Sequence, residues 1–118
     1  MKTLKNKYIP IEGFRCINLF GTIFYRNGKM LTDIDINHES VHDEQARDLF
    51  PFKPIGYIIF YILYGLEWFI KMLICLFVNK RPYYSISFEQ EAWNNEYNLN
   101  YTNYRRRFSW VKYIFKLV

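Results

Sequence analysis

From Ile55 to Val78 the chain carries only two charges, Glu67 and Lys71, in an otherwise apolar run. As a helix such a run satisfies its own backbone N–H and C=O groups. It then extends about 36 Å at 1.5 Å per residue, enough to cross a bilayer. Glu67 and Lys71 stand four apart, spaced to pair with one another. Tyr57, Tyr61, Tyr64 and Trp68 give the helix an aromatic side more typical of an interface or a core than of a lipid-facing surface. Three placements follow: a spanning helix, a helix lying in the membrane surface, and the central helix of a small bundle. Everything else must fold around this rod.

Upstream of it lies Asn37-His38-Glu39-Ser40-Val41-His42-Asp43-Glu44-Gln45, and the two histidines in it are the only two in the chain. On a helix, His38 and His42 are one turn apart on a single face, so their imidazole nitrogens can converge on one cation such as zinc. Glu39 lies about 100° round the helix, placed to hydrogen-bond a metal-held water and act as general base. Thr32 reads as the N-cap of this helix, with Asp33 and Asp35 in its first turn facing the positive end. It is expected to run to about Leu49 and stop before Pro51 and Pro54.

Residues 14–25 are aromatic and β-branched with partial alternation, which predicts extended structure with a bulge or bend at Gly21. Asn27-Gly28 is a turn signal, and Lys29-Met30-Leu31 is expected as a short return strand. After the hydrophobic helix, Ser87 with Gln90 reads as a capping box opening a helix to about Glu96. Phe108, Val111, Phe115 and Val118 share one helical face, which predicts a C-terminal amphipathic helix. The fold class is therefore α+β and mostly helical, in one domain over residues 1–118. Its expected order is an N-terminal β-hairpin, the histidine helix, the hydrophobic helix, a third-ligand helix and the C-terminal helix.

A net charge of +5 comes largely from Lys2 to Lys7 and Arg105 to Arg107, which favours an anionic surface as partner. No nucleic-acid recognition motif accompanies the arginines, so lipid headgroups are the expected partner and nucleic acid is not. Asn6, Lys7, Pro10, Glu12 and Arg15 interrupt any signal-peptide core, so no cleaved leader is expected; whether the association is integral or peripheral stays open. Cys16 and Cys75 have no metal-binding spacing and read as packed thiols.

A catalytic zinc keeps three protein ligands and one open position. With both histidines used, the third is a carboxylate or a cysteine. Glu89 is the first candidate, with Glu91 and Glu96 behind it. His38-Glu39-x-x-His42-x-x-Gln45 followed by Glu89-x-Glu91-Ala92 resembles the gluzincin-type zinc metallopeptidases. The resemblance implies His38, His42 and Glu89 as zinc ligands, Glu39 as general base and a peptide or protein substrate. It also implies an edge strand beside the metal helix to pair with that substrate, for which residues 14–25 are the candidate. The chain departs from the pattern at Asp43, usually uncharged, and at Trp93, where the family has an Asp that orients a histidine. That orienting hydrogen bond must come from elsewhere, with Glu67, Asp35 and Gln45 available. The function expected is a membrane-associated zinc hydrolase. The alternative is a catalytically inactive metal-binding protein that acts through membrane or partner contacts.

Overall fold

The computed structural model describes residues 1–10 and 13–118. Three strands open the chain: β1 (Lys2–Asn6), β2 (Cys16–Leu19) and β3 (Thr22–Arg26). An N-terminal antiparallel hairpin is present, but β2 and β3 build it within the expected 14–25 stretch, and it turns at Phe20 and Gly21, with φ of 52° and 91°, instead of at Asn27-Gly28. Two left-handed residues match the twist of a two-residue hairpin, so Gly21 is the turn itself and not a bulge. β1 was not foreseen. It lies parallel to β3, giving the order β1-β3-β2. That arrangement also corrects the return strand at 29–31. Both edges of β3 are already paired, and after the Arg26–Lys29 turn the chain leaves the sheet without a strand. β2 remains the edge strand on the helical side, and buried Asn18 ties it there by donating to the Glu39 carbonyl and the Tyr57 hydroxyl.

Helix α1 (Asp33–Leu49) starts at Thr32 through a reciprocal pair: Asp35 N–H donates to Thr32 Oγ1, and Thr32 N–H to the Asp35 carboxylate. Arg15 forks onto that same carboxylate and so ties β2's approach to the start of α1. α2 (Lys53–Cys75) begins two residues before the expected Ile55, because Pro54 fits the first turn, where no N–H is required. It crosses α1 at Gly56, whose Cα packs against the carbonyls of Ala46 and Phe50. Ala46, Tyr57, Phe60, Ile86 and Phe88 close the core between α1, α2 and the helices that follow.

Those are α3 (Pro82–Ser85), α4 (Ser87–Asn95) and α5 (Tyr101–Tyr104). The capping box at Ser87 does not form. Ser87 is already the first helical residue, and its N–H and hydroxyl both donate to Glu67 of α2, which supplies the negative charge at that helix start. Gln90 is turned to the carbonyls of Ser85, Tyr113 and Lys116. The C-terminal amphipathic helix is also absent; residues 108–118 form turns around a single 3₁₀ turn, Val111–Tyr113. Its carbonyls have other partners. Tyr113 and Lys116 C=O accept from Gln90 and from buried Lys71, while Val118 bonds to Ser85 and Arg81, so the tail is drawn back across α4.

Candidate metal centre

His38 and His42 project from the middle of α1, and Glu89 comes in from the first turn of α4. All three are buried, and one atom from each lies within 4.8 Å of the others. Glu89 Oε1 is 3.0 Å from His38 Nε2 and 3.1 Å from His42 Nε2. Donors about 2.1 Å from a tetrahedral zinc stand roughly 3.4 Å apart, so a small ion fits between these groups after a shift of a few tenths of an ångström. The outer nitrogens are held as well. His38 Nδ1 lies 2.8 Å from Glu96 Oε2, and His42 Nδ1 lies 2.8 Å from Gln45 Oε1. With protons on both Nδ1 atoms, both Nε2 lone pairs face the same point, the arrangement that ligating histidines adopt.

The electrostatics of the ion-free cluster follow from its burial. Burial works against charge on His42, yet Glu89, their hydrogen bond and Glu39 outweigh it and push the imidazolium up to about 9. Burial opposes the Glu89 carboxylate too, but the two histidines hold it well below the usual range. A proton on His42 Nε2 thus stands where a cation would. Tyr64 donates to Glu89 Oε2 at 2.5 Å, leaving Oε1 alone to face the histidines.

Glu39 is not in the ligand cluster. It lines an adjoining cavity of about 610 Å³ together with His42 and Glu89. Burial raises its pKa, Glu89 adds to the rise, and His42 and His38 oppose it. Cys16 Sγ donates to Glu39 Oε1 at 3.8 Å, so this thiol faces the site from β2. Apart from Asn18, the rest of the cavity wall is mainly apolar, with Ile17 and Leu19 of β2, Phe14, and the rings of Phe60, Tyr61 and Tyr64. Tyr57, Tyr61 and Tyr64 hydroxyls are bonded to Asp43, Asn18 and Glu89, which leaves their ring faces to the cavity.

The remaining sequence candidates are accounted for elsewhere. Glu91 takes a bidentate pair with Arg105 and a bond from Tyr101, so it is no ligand; its Oε1 accepts from Gln45 and thereby holds the amide that holds His42. Glu96 orients His38 from outside. Of the three orienting candidates, Gln45 serves; Asp35 is taken by Arg15 and the helix cap, and Glu67 by Lys71 and Ser87. Asp43 is turned away from the cluster to Lys53 and Tyr57, so its charge does not enter the site. Trp93 lays its ring against His38, centroids 4.7 Å apart. The role of Glu96 was readable: seven residues after Glu89, it returns to the same face of α4. Tyr64 carried no such signal. Compared with known proteins, the chain matches no protein family, and no curated protein or solved structure is significantly similar to it.

Proposed function

We propose that the chain is a zinc-dependent hydrolase of gluzincin-like chemistry that cleaves a peptide bond next to a bulky apolar side chain. The observation carrying this reading is the convergence of His38 Nε2, His42 Nε2 and Glu89 Oε1 at one point on the wall of a cavity that also presents Glu39. Two imidazoles and one carboxylate are a donor set typical of catalytic zinc, which keeps a position open for water or substrate. Zinc held there would polarise a carbonyl and acidify a bound water.

The protein's own groups divide the remaining work. Glu39, its carboxylate made more basic by burial, takes the proton from the attacking water and passes it to the leaving amine. Glu96 and Gln45 fix the histidine rings. The aromatic cavity takes the apolar side chain and excludes water, and the edge strand β2 runs along it as a template for an extended backbone, which would displace the Tyr61 hydroxyl from the Asn18 carbonyl. This chemistry belongs at a membrane. α2 is long and apolar enough to span one, and little of it is buried against the rest of the chain.

Metal analysis beside Glu39→Gln tests the reading. About one zinc per chain is expected, lost in His38→Ala and retained in Glu39→Gln, with cleavage of quenched apolar peptides abolished in both. Zinc content unchanged by His38→Ala overturns the site. Loss of zinc in Glu39→Gln replaces the hydrolase with the metal-binding alternative.

A further inference from the structure

α2 has two unlike faces. Gly56, Tyr57, Phe60, Tyr64, Glu67 and Lys71 turn inward, where the polar ones find partners on α1, α4 and the tail. Ile55, Ile58, Ile62, Leu66, Phe69 and Leu73 turn outward at helical spacing, and every one is exposed, Ile62 by 62%. This row is the reverse of a soluble surface helix, whose apolar face is the buried one. It runs about 27 Å with no charged residue in it.

At the C-terminal end of the row the exposed side-chain charge has one sign. Every Glu side chain after Phe50 is engaged inside the fold: Glu67 with Lys71, Glu89 with the histidines, Glu91 with Arg105, Glu96 with His38. Lys80 and Arg81 follow α2 on the surface, and the tail, bonded back to Arg81, brings Lys112 and Lys116 to the same end. Beside them Phe115 and Phe77 stand 97% and 89% exposed. An apolar row, exposed aromatics and a basic end complement an anionic leaflet.

The packing also sets the orientation. α1, with Asp33, Glu44 and Arg47 on its surface, lies against the N-terminal half of α2 at Gly56 and Tyr57, while α4 meets the middle of α2 at Tyr64 and Glu67 and the basic tail meets its C-terminal half at Lys71. A membrane crossed by α2 would have to take in one or other of these polar bodies, at high cost. We infer that α2 lies in the plane of one anionic leaflet, with its Ile55–Leu73 row sunk among the acyl chains and Lys80, Arg81, Lys112 and Lys116 at the headgroups. The metal centre then sits on the side of α2 away from the lipid core. This surface is separate from the metal site, so docking and hydrolysis succeed or fail independently.

The test is flotation of the full chain with phosphatidylcholine vesicles, with and without phosphatidylglycerol. Binding is expected to require phosphatidylglycerol. It should fall about tenfold or more in Ile62→Glu, and about fivefold for each of Lys80→Gln and Lys116→Gln. Unchanged circular dichroism and zinc content in these surface variants establish that the fold is intact. Nitroxides placed at Ile58 and Leu73, after Cys16→Ser and Cys75→Ser, should report the same shallow depth. Depths on opposite sides of the bilayer midplane overturn the proposal in favour of a spanning helix. Absence of vesicle binding, or a dimer that Ile62→Glu dissociates, overturns it in favour of a second copy of the chain on this face.

Discussion

Glu96 Oε2 lies 2.8 Å from His38 Nδ1, on the side of the ring away from Glu89. This outer carboxylate fixes the ring and makes Nε2 a better donor to a cation. Glu96→Gln should therefore keep one zinc site per chain but weaken it about 10–100-fold. Glu89→Gln, which alters a ligand, should weaken it further. Competition titration against a chelating dye ranks the two, and equal losses would mean that Glu96 binds the ion directly.

The His42–Glu89 pair makes the metal-free protein sensitive to pH. His42 is raised from 6.5 to about 9, so its contribution to stability is complete below pH 6.5 and is lost as pH rises through 9. Glu89 is lowered well below 4.5, so its contribution is complete above pH 4.5 and is lost on acidification. Glu39, raised by burial, acts in the same direction as His42. Thermal melts of the metal-free chain should peak between pH 4.5 and 6.5 and decline toward pH 9. Zinc affinity should do the opposite, rising over pH 6.5 to 9 as the metal ceases to compete with the His42 proton. A metal-free melting temperature that rises over that interval would show that His42 is not held as imidazolium.

The parts of this fold that were legible rest on local chemistry. Thr32 and Asp35 mark the start of α1 because a cap needs only three neighbouring residues, and Pro51 marks its end in the same way. The i, i+4 histidines and the apolar run needed nothing beyond helical geometry. The failures share a different cause. β1 reads from sequence only as a basic stretch, and only the distant β3 makes it a strand. Ser87 and Gln90 spell a cap, but Glu67 and the tail carbonyls compete for the same groups from across the fold. The tail has helical periodicity, yet Lys71 and Gln90 claim its carbonyls. In each case a non-local hydrogen bond overrides a local preference that is worth about 1 kcal/mol.

Arg105 belongs to the same lesson. Its place in a run of three arginines suggested an anionic surface as partner, but its side chain is only 3% exposed and bridges Asp48 and Glu91, themselves 6% and 0% exposed. Arg105→Ala leaves two buried carboxylates without a cation and should cost about 3–5 kcal/mol. Urea denaturation measures this directly. Glu91→Gln should destabilise the protein while leaving zinc at one per chain, because Glu91 reaches the site only through Gln45. Loss of zinc at full folding would return Glu91 to the ligand set.

Two glycines on α2 give opposite predictions from the same substitution. In a helix interior Gly→Ala ordinarily stabilises by about 0.5–1 kcal/mol, because alanine has less backbone freedom to lose. Gly65 stands on the outer side with nothing near its missing Cβ, so Gly65→Ala should show that gain. At Gly56 a Cβ would stand 2.5 Å from the Ala46 carbonyl oxygen and 2.8 Å from that of Phe50. Both are backbone atoms, and they can yield only if α1 moves as a body. Gly56→Ala should therefore destabilise by about 1–3 kcal/mol despite its helix preference. Ala46 follows His42 by one turn of α1, so the displacement also draws His42 away from Glu89 and zinc affinity should fall in parallel. Urea denaturation and zinc titration on both variants check the pair. Gly56→Ala protein that keeps wild-type stability would show that the α1–α2 crossing is looser than this contact requires.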